Sequence, residues 1–143
     1  MGVEFELKFS AEPAQQEAIA QQYLPSYEQY QMQTTYYDTP SRALSARHIT
    51  LRCRIENGEA VCTVKTPLAG YGRGEWDCRC DDICKALPIL VKAGAPEAIL
   101  ALTAEGLESV CGARFTRHAG TVDFADAVLE IALDTAALLH TND

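Results

Sequence analysis

The chain has 143 residues, of which 48% are apolar and 22% are charged, and its formal net charge is -8. These values fit one soluble globular domain over residues 1–143 and exclude a transmembrane helix, because no apolar run approaches about eighteen residues. The acidic balance argues against a nucleic-acid surface, and no basic-then-apolar signal segment opens the sequence. We therefore expect a cytoplasmic protein, monomeric or homodimeric, with no nucleic-acid or membrane partner.

The first predicted element is a strand over residues 3–9, VEFELKF. Apolar and charged residues alternate there with a period of two, which is typical of a strand with two different faces. Glu4, Glu6 and Lys8 share one of these faces. Whether that charged face meets water or lines a cavity depends on the other strands.

The middle of the chain predicts a helix, a strand and a hairpin. A helix is expected over residues 10–24, where Ser10 can cap and Pro13 suits the first turn, followed by a Tyr- and Thr-rich strand over residues 27–39. After a short helix or turn at residues 41–48, residues 49–67 predict two alternating strands around the turn at residues 56–58.

The second half continues with a strand at residues 71–81 and a helical segment over residues 86–107, broken at Gly94 and Pro96. Residues 108–135 predict three short strands with turns at Gly112 and near Gly120 or Asp126. The fold class is therefore α+β, dominated by antiparallel strands.

The six cysteines fit a reduced intracellular protein better than a disulfide framework. Within the predicted strands Cys53, Cys62, Cys78 and Cys80 lie on the faces opposite the charges, where a small apolar side chain packs. The spacing of Cys78, Cys80 and Cys84 has no partner cluster of zinc type. We expect six unpaired thiols.

The charges of the other strands also gather on single faces. Alternation groups Arg52 with Arg54, Thr63 with Lys65, Arg73 with Glu75, Asp77 and Arg79, and Glu130 with Asp134. Any one such strand fits a solvated face. Taken together, acidic strands at the chain ends and basic strands between them favour a closed barrel with the charges turned inward. Arginine and lysine bind phosphate oxygens, and carboxylates hold hard divalent cations, so the predicted ligand is a metal–polyphosphate complex.

The ordered set EFELKF, YYDTP, LRCR, TVK, RGEW and EIALD resembles the CYTH superfamily of triphosphate tunnel metalloenzymes, and its bacterial inorganic triphosphatase branch most closely. The resemblance runs from residue 3 to about residue 138. It implies an antiparallel closed or nearly closed β-barrel, the triphosphate tunnel, with helices packed outside. It also implies a hydrolase that acts on a small-molecule triphosphate, inorganic tripolyphosphate first, with Mg²⁺ or Mn²⁺.

The resemblance further implies the roles of individual residues. The implied metal ligands are Glu4, Glu6, Glu130 and Asp134. The residues implied in catalysis are Glu4, Glu6, Lys8 and Glu130. The implied substrate contacts are Lys8, Arg52, Arg54, Lys65, Arg73, Glu75 and either Arg114 or Arg117. The last two are alternatives, because an offset of three places them on opposite faces of a strand. Tyr36, Tyr37 and Asp38 are expected to brace the end of their strand.

One departure from the family concerns its C-terminal acidic strand, which usually follows the EIALD segment. The sequence stops at residue 143 before such a strand, so we expect a tunnel that is open along one side and a metal site that lacks part of its ligands.

The mechanism implied is an in-line attack by water, accelerated by positioning and by neutralisation of phosphate charge. Ser41, Ser45, His48 and His118 have no triad context and are not expected to act in catalysis.

Three alternatives stay open. The chain could be a non-catalytic polyphosphate or nucleotide binder, a thiamine triphosphatase or class IV adenylate cyclase on the same fold, or a lipocalin-like barrel for an apolar ligand. The inward arginines and glutamates argue against the last of these.

Overall fold

The computed structural model describes residues 2–70 and 72–141, with side chains described for residues 5–70 and 72–139. In chain order the elements are β1 (Gly2–Glu4), α1 (Pro13–Tyr23), β2 (Glu28–Asp38), a 3₁₀ turn (Ser45–Arg47), β3 (Thr50–Glu56), β4 (Glu59–Pro67), β5 (Arg73–Arg79), α2 (Ile83–Lys92), α3 (Ala98–Leu102), β6 (Glu108–Phe124) and β7 (Ala127–Thr141). The α+β class is confirmed.

All seven strands form one antiparallel sheet in the order β1-β5-β4-β3-β2-β6-β7. The sheet curls into a half-barrel, and within the described residues its edge strands β1 and β7 are not paired with each other. The predicted antiparallel barrel sheet is therefore present as a curled half-barrel.

Two faces of the sheet have different chemistry, as strand alternation predicts. Leu51, Cys62, Val64 and Trp76 lie on one face, which we call the helix face, and pack with α2 and α3 into the main hydrophobic core. The opposite face, which we call the charged face, carries Arg52, Arg54, Thr63, Lys65, Glu75 and Arg117 in matching registers.

The charged face is the concave side of the half-barrel. Thr34, Arg54, Thr63 and Phe115 belong to it, and all four are buried, Arg54 with only 6% of its surface exposed. An open, solvated sheet face would leave such side chains in water, so the curling of the sheet removes them from solvent.

The first predicted strand is wrong in its extent. β1 ends at Glu4, whose register partner Arg73 is the first residue of β5, so residues 5–9 have no ladder partner in the described part of the chain. Phe5, Leu7 and Phe9 are correspondingly exposed. The alternating pattern of residues 3–9 is real, but a strand also needs a neighbour to pair with.

The predicted three short strands near the C-terminus are wrong. Residues 108–135 lie in two long strands, β6 and β7, joined by a tight turn at Ala125 and Asp126. Gly112 marks a register shift inside β6, and Gly120 lies within the strand. Ala125 has a left-handed φ of 54°, which the turn requires although no glycine is present.

The other elements follow the predictions closely. The β3–β4 hairpin turns at Asn57 and Gly58, with left-handed φ values of 48° and 89°. Helix α1 starts later than Ser10, with Gln15 accepting a hydrogen bond from the Glu12 N–H at 2.7 Å. The helical segment is broken at Gly94, as expected, and α2 begins at Ile83 because Asp82 caps it. No helix in the described part of the chain combines the length and apolar character needed to cross a bilayer.

Candidate polyanion-binding cleft

A cleft of about 330 Å³ opens on the charged face. Four cationic side chains line it, contributed by the N-terminal segment and by β3, β4 and β5: Lys8, Arg52, Lys65 and Arg73. The other lining residues are Phe5, Glu6, Leu7, Tyr36, Thr50 and Gly72. The cleft is therefore a locally basic site in a protein whose net charge is strongly negative.

Arg52 lines this cleft and carries a buried hydrogen-bond donor. Its Nε is buried and has no hydrogen-bond partner within the described part of the chain. Burying such a donor without an acceptor costs free energy, and an anionic ligand oxygen in the cleft would offset that cost. Tyr36, the direct neighbour of Arg52 on β2, lines the same wall.

Arg54 lies deeper in the half-barrel than Arg52 and does not line the cleft itself. Its Nε donates to Thr34 Oγ1 at 2.7 Å, and its guanidinium stacks over the Phe115 ring at 5.0 Å from the centroid. Burial, followed by the nearby charge of Arg52, lowers the pKa of Arg54. These two arginines therefore concentrate positive charge on β3 in a region shielded from water.

Lys65 lies between two carboxylates. Its Nζ is 3.9 Å from Glu6 Oε2 and 4.0 Å from Glu75 Oε2, and only 12% of its side chain is exposed. Glu6 also contacts Lys8 Nζ, at 3.3 Å, but 83% of the Lys8 side chain is exposed. A carboxylate of the N-terminal segment thus occupies part of the space in which the cleft can hold an anion.

Arg73 is engaged by the protein itself. Its Nη2 donates to the carbonyl oxygen of His48 at 2.7 Å and makes longer contacts to Thr50 Oγ1 at 3.3 Å and the Lys65 carbonyl at 3.5 Å. This guanidinium ties the start of β3 to β4 next to the cleft. Its geometry suits a role in positioning Lys65 as well as the predicted contact with substrate.

Arg117 and Arg114 lie on opposite faces of β6, as parity predicts. Arg117 is on the charged face, where its Nε and Nη2 contact the two carboxylate oxygens of Asp134 at 2.8 and 2.9 Å. This hydrogen bond is the main cause that raises the pKa of Arg117. Arg114 points the other way and donates to Gln33 Oε1 at 3.2 Å. Of the two alternatives, Arg117 has the position on the charged face.

Glu130 lies apart from the cationic cleft. It lines a second, more open cleft of about 440 Å³ with Glu28, Tyr30 and Thr121, among other residues, near the other end of β6. The structure therefore does not bring Glu130 and Glu6 together in one cleft.

The predicted metal ligands do not form a complete site in the described part of the chain. No group of three or more His, Cys, Asp or Glu side chains there is placed to hold a metal ion. Asp134 is paired with Arg117, and Glu130 lies in the second cleft. Glu4 is the register partner of Arg73, but its side chain lies outside the described ones. The described carboxylates thus do not fit a single divalent cation.

Asp38 braces the end of β2, as predicted. Its carboxylate accepts hydrogen bonds from the backbone N–H groups of Thr39 at 2.7 Å, Leu44 at 3.0 Å and Ser45 at 3.1 Å. Burial alone would raise the pKa of Asp38, but these hydrogen bonds outweigh it and lower the pKa below its ordinary value.

Four residues of the charged face escaped the sequence analysis as site residues: Thr34, Tyr36, Thr50 and Phe115. Tyr36 and Thr50 line the cleft, while Thr34 and Phe115 support Arg54. The parity of β2 would have identified Thr34 and Tyr36 once β2 was placed beside β3, since they are the direct partners of Arg54 and Arg52. Phe115 depends on the β2–β6 register, for which the sequence has no signal.

Comparison with known proteins agrees with this fold. The CYTH domain family matches residues 2–143. A Hippeastrum protein described as an adenylyl cyclase with a dominant triphosphatase activity superposes with a TM-score of 0.61 at 14% identity, over 87% of this chain and 69% of its own. A candidate adenylate cyclase from Bacillus halodurans also has a TM-score of 0.61, at 19% identity, over 97% and 76%. A protein of Pyrococcus horikoshii has a TM-score of 0.55 at 22% identity, over 87% and 66%. No curated protein matches the sequence.

Proposed function

Because this chain belongs to the CYTH family, we propose that it binds a linear triphosphate in the cationic cleft and hydrolyses one of its phosphoanhydride bonds. Inorganic tripolyphosphate is the proposed substrate, since four cationic side chains line the cleft; an organic substrate would in addition contact Phe5, Leu7 or Tyr36, which also line it. The observation that carries the proposal is the buried Arg52 Nε in the cleft wall, which has no hydrogen-bond acceptor in the described structure.

The charges of the cleft suit a polyphosphate chemically. Phosphoryl transfer spreads negative charge over the transferred group, and preorganised donors that neutralise this charge lower the barrier. Arg52 and Lys65 supply donors at the cleft wall, and Arg54 adds positive charge behind them. The backbone that carries Arg52 and Lys65 is held by the β3–β4 ladder and by the Arg73 hydrogen bonds, whereas Glu6 must leave Lys65 when the substrate arrives.

Mg²⁺ or Mn²⁺ is expected from the family resemblance, with Glu4, Glu6, Glu130 and Asp134 as the predicted ligands. Since the described carboxylates do not converge, the chemistry that follows from the cleft itself is anion binding, orientation and charge neutralisation. Among the predicted metal ligands whose side chains the structure describes, Glu6 lies in the cationic cleft.

A second candidate function is binding of polyphosphate without hydrolysis. The distribution of charge among the described side chains favours it, because four cations line one cleft there while Glu130 and Asp134 lie away from Glu6. Such a protein would bind tripolyphosphate in the presence of a chelator and release no phosphate.

One experiment separates the two candidates. Phosphate release is measured with tripolyphosphate, thiamine triphosphate and ATP, each with Mg²⁺, with Mn²⁺ and with a chelator, while binding is followed by calorimetry. The proposed hydrolase predicts release from tripolyphosphate above the rates for both organic substrates. Binding without release supports the second candidate, cyclic nucleotide formation from ATP supports a cyclase, and neither binding nor release contradicts both proposals.

A further inference from the structure

Three cysteines form a row across the helix face of the sheet. Cys53 on β3 is the direct partner of Cys62 on β4, and Cys62 is in turn the direct partner of Cys78 on β5. Cys62 is fully buried, and Cys53 and Cys78 are partly buried beside it. The three thiols of this row are not joined by a disulfide in this structure.

The register of the hairpin decides which pair is suited to a bond. The two-residue turn at Asn57 and Gly58 makes its flanking pair, Glu56 and Glu59, a hydrogen-bonded pair. Hydrogen-bonded and non-hydrogen-bonded pairs alternate along an antiparallel ladder, so Cys53 and Cys62, three steps away, are a non-hydrogen-bonded pair. Their Cα atoms are then expected about 4.5 Å apart, within the range of about 4.4–6.8 Å found across disulfides.

The sulfur atoms of this pair also share one hydrogen-bond acceptor. Cys53 Sγ and Cys62 Sγ both contact the carbonyl oxygen of Cys80, at 3.8 and 3.2 Å, and the two thiols interact directly. Cys78 on β5 does not share this acceptor among the described hydrogen bonds. It and Cys62 on β4 form a hydrogen-bonded pair, in which Cα atoms are about 5.5 Å apart. Of the two pairs in the row, Cys53 and Cys62 therefore have the register better suited to a disulfide.

We propose that Cys53 and Cys62 form a modification site at which a low-molecular-weight disulfide, such as glutathione disulfide, oxidises the two thiols to a cross-strand disulfide. The thiolate of the partly exposed Cys53 attacks the reagent, forms a mixed disulfide and releases one reagent thiol. Cys62 then loses its proton to solvent and attacks the Cys53 sulfur, which releases the second reagent thiol. The two cysteines lose two electrons and two protons in total, and the reagent disulfide gains them.

The surroundings of Cys62 set the rate of the second step. Burial, then the neighbouring Cys53, raise the pKa of Cys62, so its thiolate is scarce near neutral pH. Closure of the bond should therefore speed up as pH rises, whereas an exposed thiol such as Cys84 forms only a mixed disulfide. The bond would join β3 and β4, the strands that carry Arg52 and Lys65 on their other face.

The test uses the whole folded protein, incubated with glutathione disulfide at pH 7 and pH 9 and then analysed by thiol labelling and peptide mass spectrometry. The expected product lacks two of the six labelled thiols and the mass of two hydrogen atoms, and contains a peptide pair joined through Cys53 and Cys62. It should form faster at pH 9, and dithiothreitol should restore both labels. This mapping needs no variant and does not depend on any catalytic activity.

Two variants sharpen the test. Cys53→Ala should abolish the joined peptides, whereas the matched control Cys84→Ala, which removes an exposed thiol outside the row, should leave them unchanged. Circular dichroism first checks that each variant is folded. Stable glutathione adducts without a joined pair, a pair that includes Cys84 or Cys111 in place of these two, or joined peptides that survive Cys53→Ala would each overturn the proposal.

Discussion

At the scale of single residues, the two arginines of β3 differ in what holds them. Arg54 has a neutral hydrogen-bond acceptor, Thr34, and an aromatic ring beneath its guanidinium. Arg52 has its Nε buried without an acceptor in the described structure. A buried donor without an acceptor costs free energy in the folded state, and in a residue that lines a cleft a bound ligand is one explanation for it.

The first prediction follows from this difference. Arg52→Gln should weaken binding of tripolyphosphate by about 1.5–3 kcal/mol, the usual contribution of a hydrogen bond to a charged group, while the free energy of unfolding stays within about 0.5 kcal/mol of wild type. Calorimetric titration and urea unfolding measure the two quantities. The matched control is Arg114→Gln on the helix-face side of β6, which should change neither. Loss of stability with unchanged affinity would assign Arg52 a structural role.

Glu6 gives a second prediction, because its carboxylate lies in the cleft against Lys65. In the presence of a chelator, Glu6→Gln should increase the affinity for tripolyphosphate by about two- to tenfold, since a competing negative charge near a surface is removed. With Mg²⁺ the same variant should lower turnover if Glu6 is a metal ligand. Glu59→Gln, at the exposed hairpin tip, is the control. If the affinity for tripolyphosphate is unchanged both with the chelator and with Mg²⁺, Glu6 acts as an ordinary surface charge.

Asp38 leads to a prediction about pH. Because its pKa is lowered in the folded protein, ionised Asp38 contributes stability above the ordinary carboxyl pKa near 3.8, and this contribution is lost as pH falls through the lowered value. Asp38→Asn should therefore reduce the free energy of unfolding by about 1–3 kcal/mol at pH 7. Denaturant melts from pH 7 to about pH 2 should show the stability difference between the two proteins shrinking below pH 3.8, as Asp38 becomes protonated. A difference that stays constant with pH would contradict the assignment.

At the scale of elements, the sequence predicts which residues share a face of a strand better than it predicts where that strand ends. Alternation along β3, β4 and β6 correctly places Arg52 with Arg54 and separates Arg114 from Arg117, because side-chain direction is a local property of a strand. The end of β1 is not local, since it depends on where β5 begins. The same holds for β6, which continues through Gly112 and Gly120 because β2 and β7 pair with it on both sides.

Gly120 illustrates how a glycine inside a strand is misread as a turn. A Cβ at this position would lie 2.8 Å from Leu24 Cδ2 and 3.0 Å from the backbone oxygen of Ser26. The missing side chain thus admits the segment that joins α1 to β2, and no turn is needed to explain it.

Gly120→Ala should accordingly destabilise the protein by about 1–3 kcal/mol, the usual cost of overpacking, because the backbone of Ser26 cannot yield as a side chain can. Thr121→Ala, the exposed neighbour, should stay within about 0.5 kcal/mol of wild type. Both values come from urea unfolding followed by circular dichroism. Equal stability of Gly120→Ala and wild type would show that the α1–β2 connection moves aside freely.

At the scale of the whole molecule, the sequence predicted both a cationic and an acidic half of the site, and the structure brings together the cations but, among the described side chains, keeps the acids apart. Arg52 and Lys65 meet because they lie on paired strands of one hairpin, so their convergence needs only local register. The predicted acids come from the two edges of the sheet, and their positions depend on how far the sheet curls. Asp134 consequently pairs with its neighbour Arg117, and Glu130 faces a different cleft.

The last prediction concerns the contrast between the negative net charge of the protein and the positive charge of the cleft. A protein with a formal charge of -8 should repel a polyanion at long range, yet the cleft should bind one at contact. Tripolyphosphate at about a hundred times its Kd should then stabilise the folded state by about 2.7 kcal/mol. The gain should shrink as KCl rises from about 0.05 to 0.5 M, because salt screens the attraction between the cations of the cleft and the phosphates. Some of the gain should remain, because a half-open cleft is screened only in part.

The sequence has a single tryptophan, Trp76, which is buried in the core on the helix face, so thermal unfolding can be followed by its fluorescence without a signal from the cleft. Sulfate at matched ionic strength controls for general salt effects, and Arg52→Gln controls for the site. A shift in melting temperature equal for tripolyphosphate and sulfate, or equal in wild type and Arg52→Gln, would mean that the anion acts on the protein surface as a whole. A shift in melting temperature that is specific to tripolyphosphate and lost in the variant would place binding in the cleft. The reason is that Arg52→Gln removes a charge from the cleft wall and leaves the core around Trp76 unchanged.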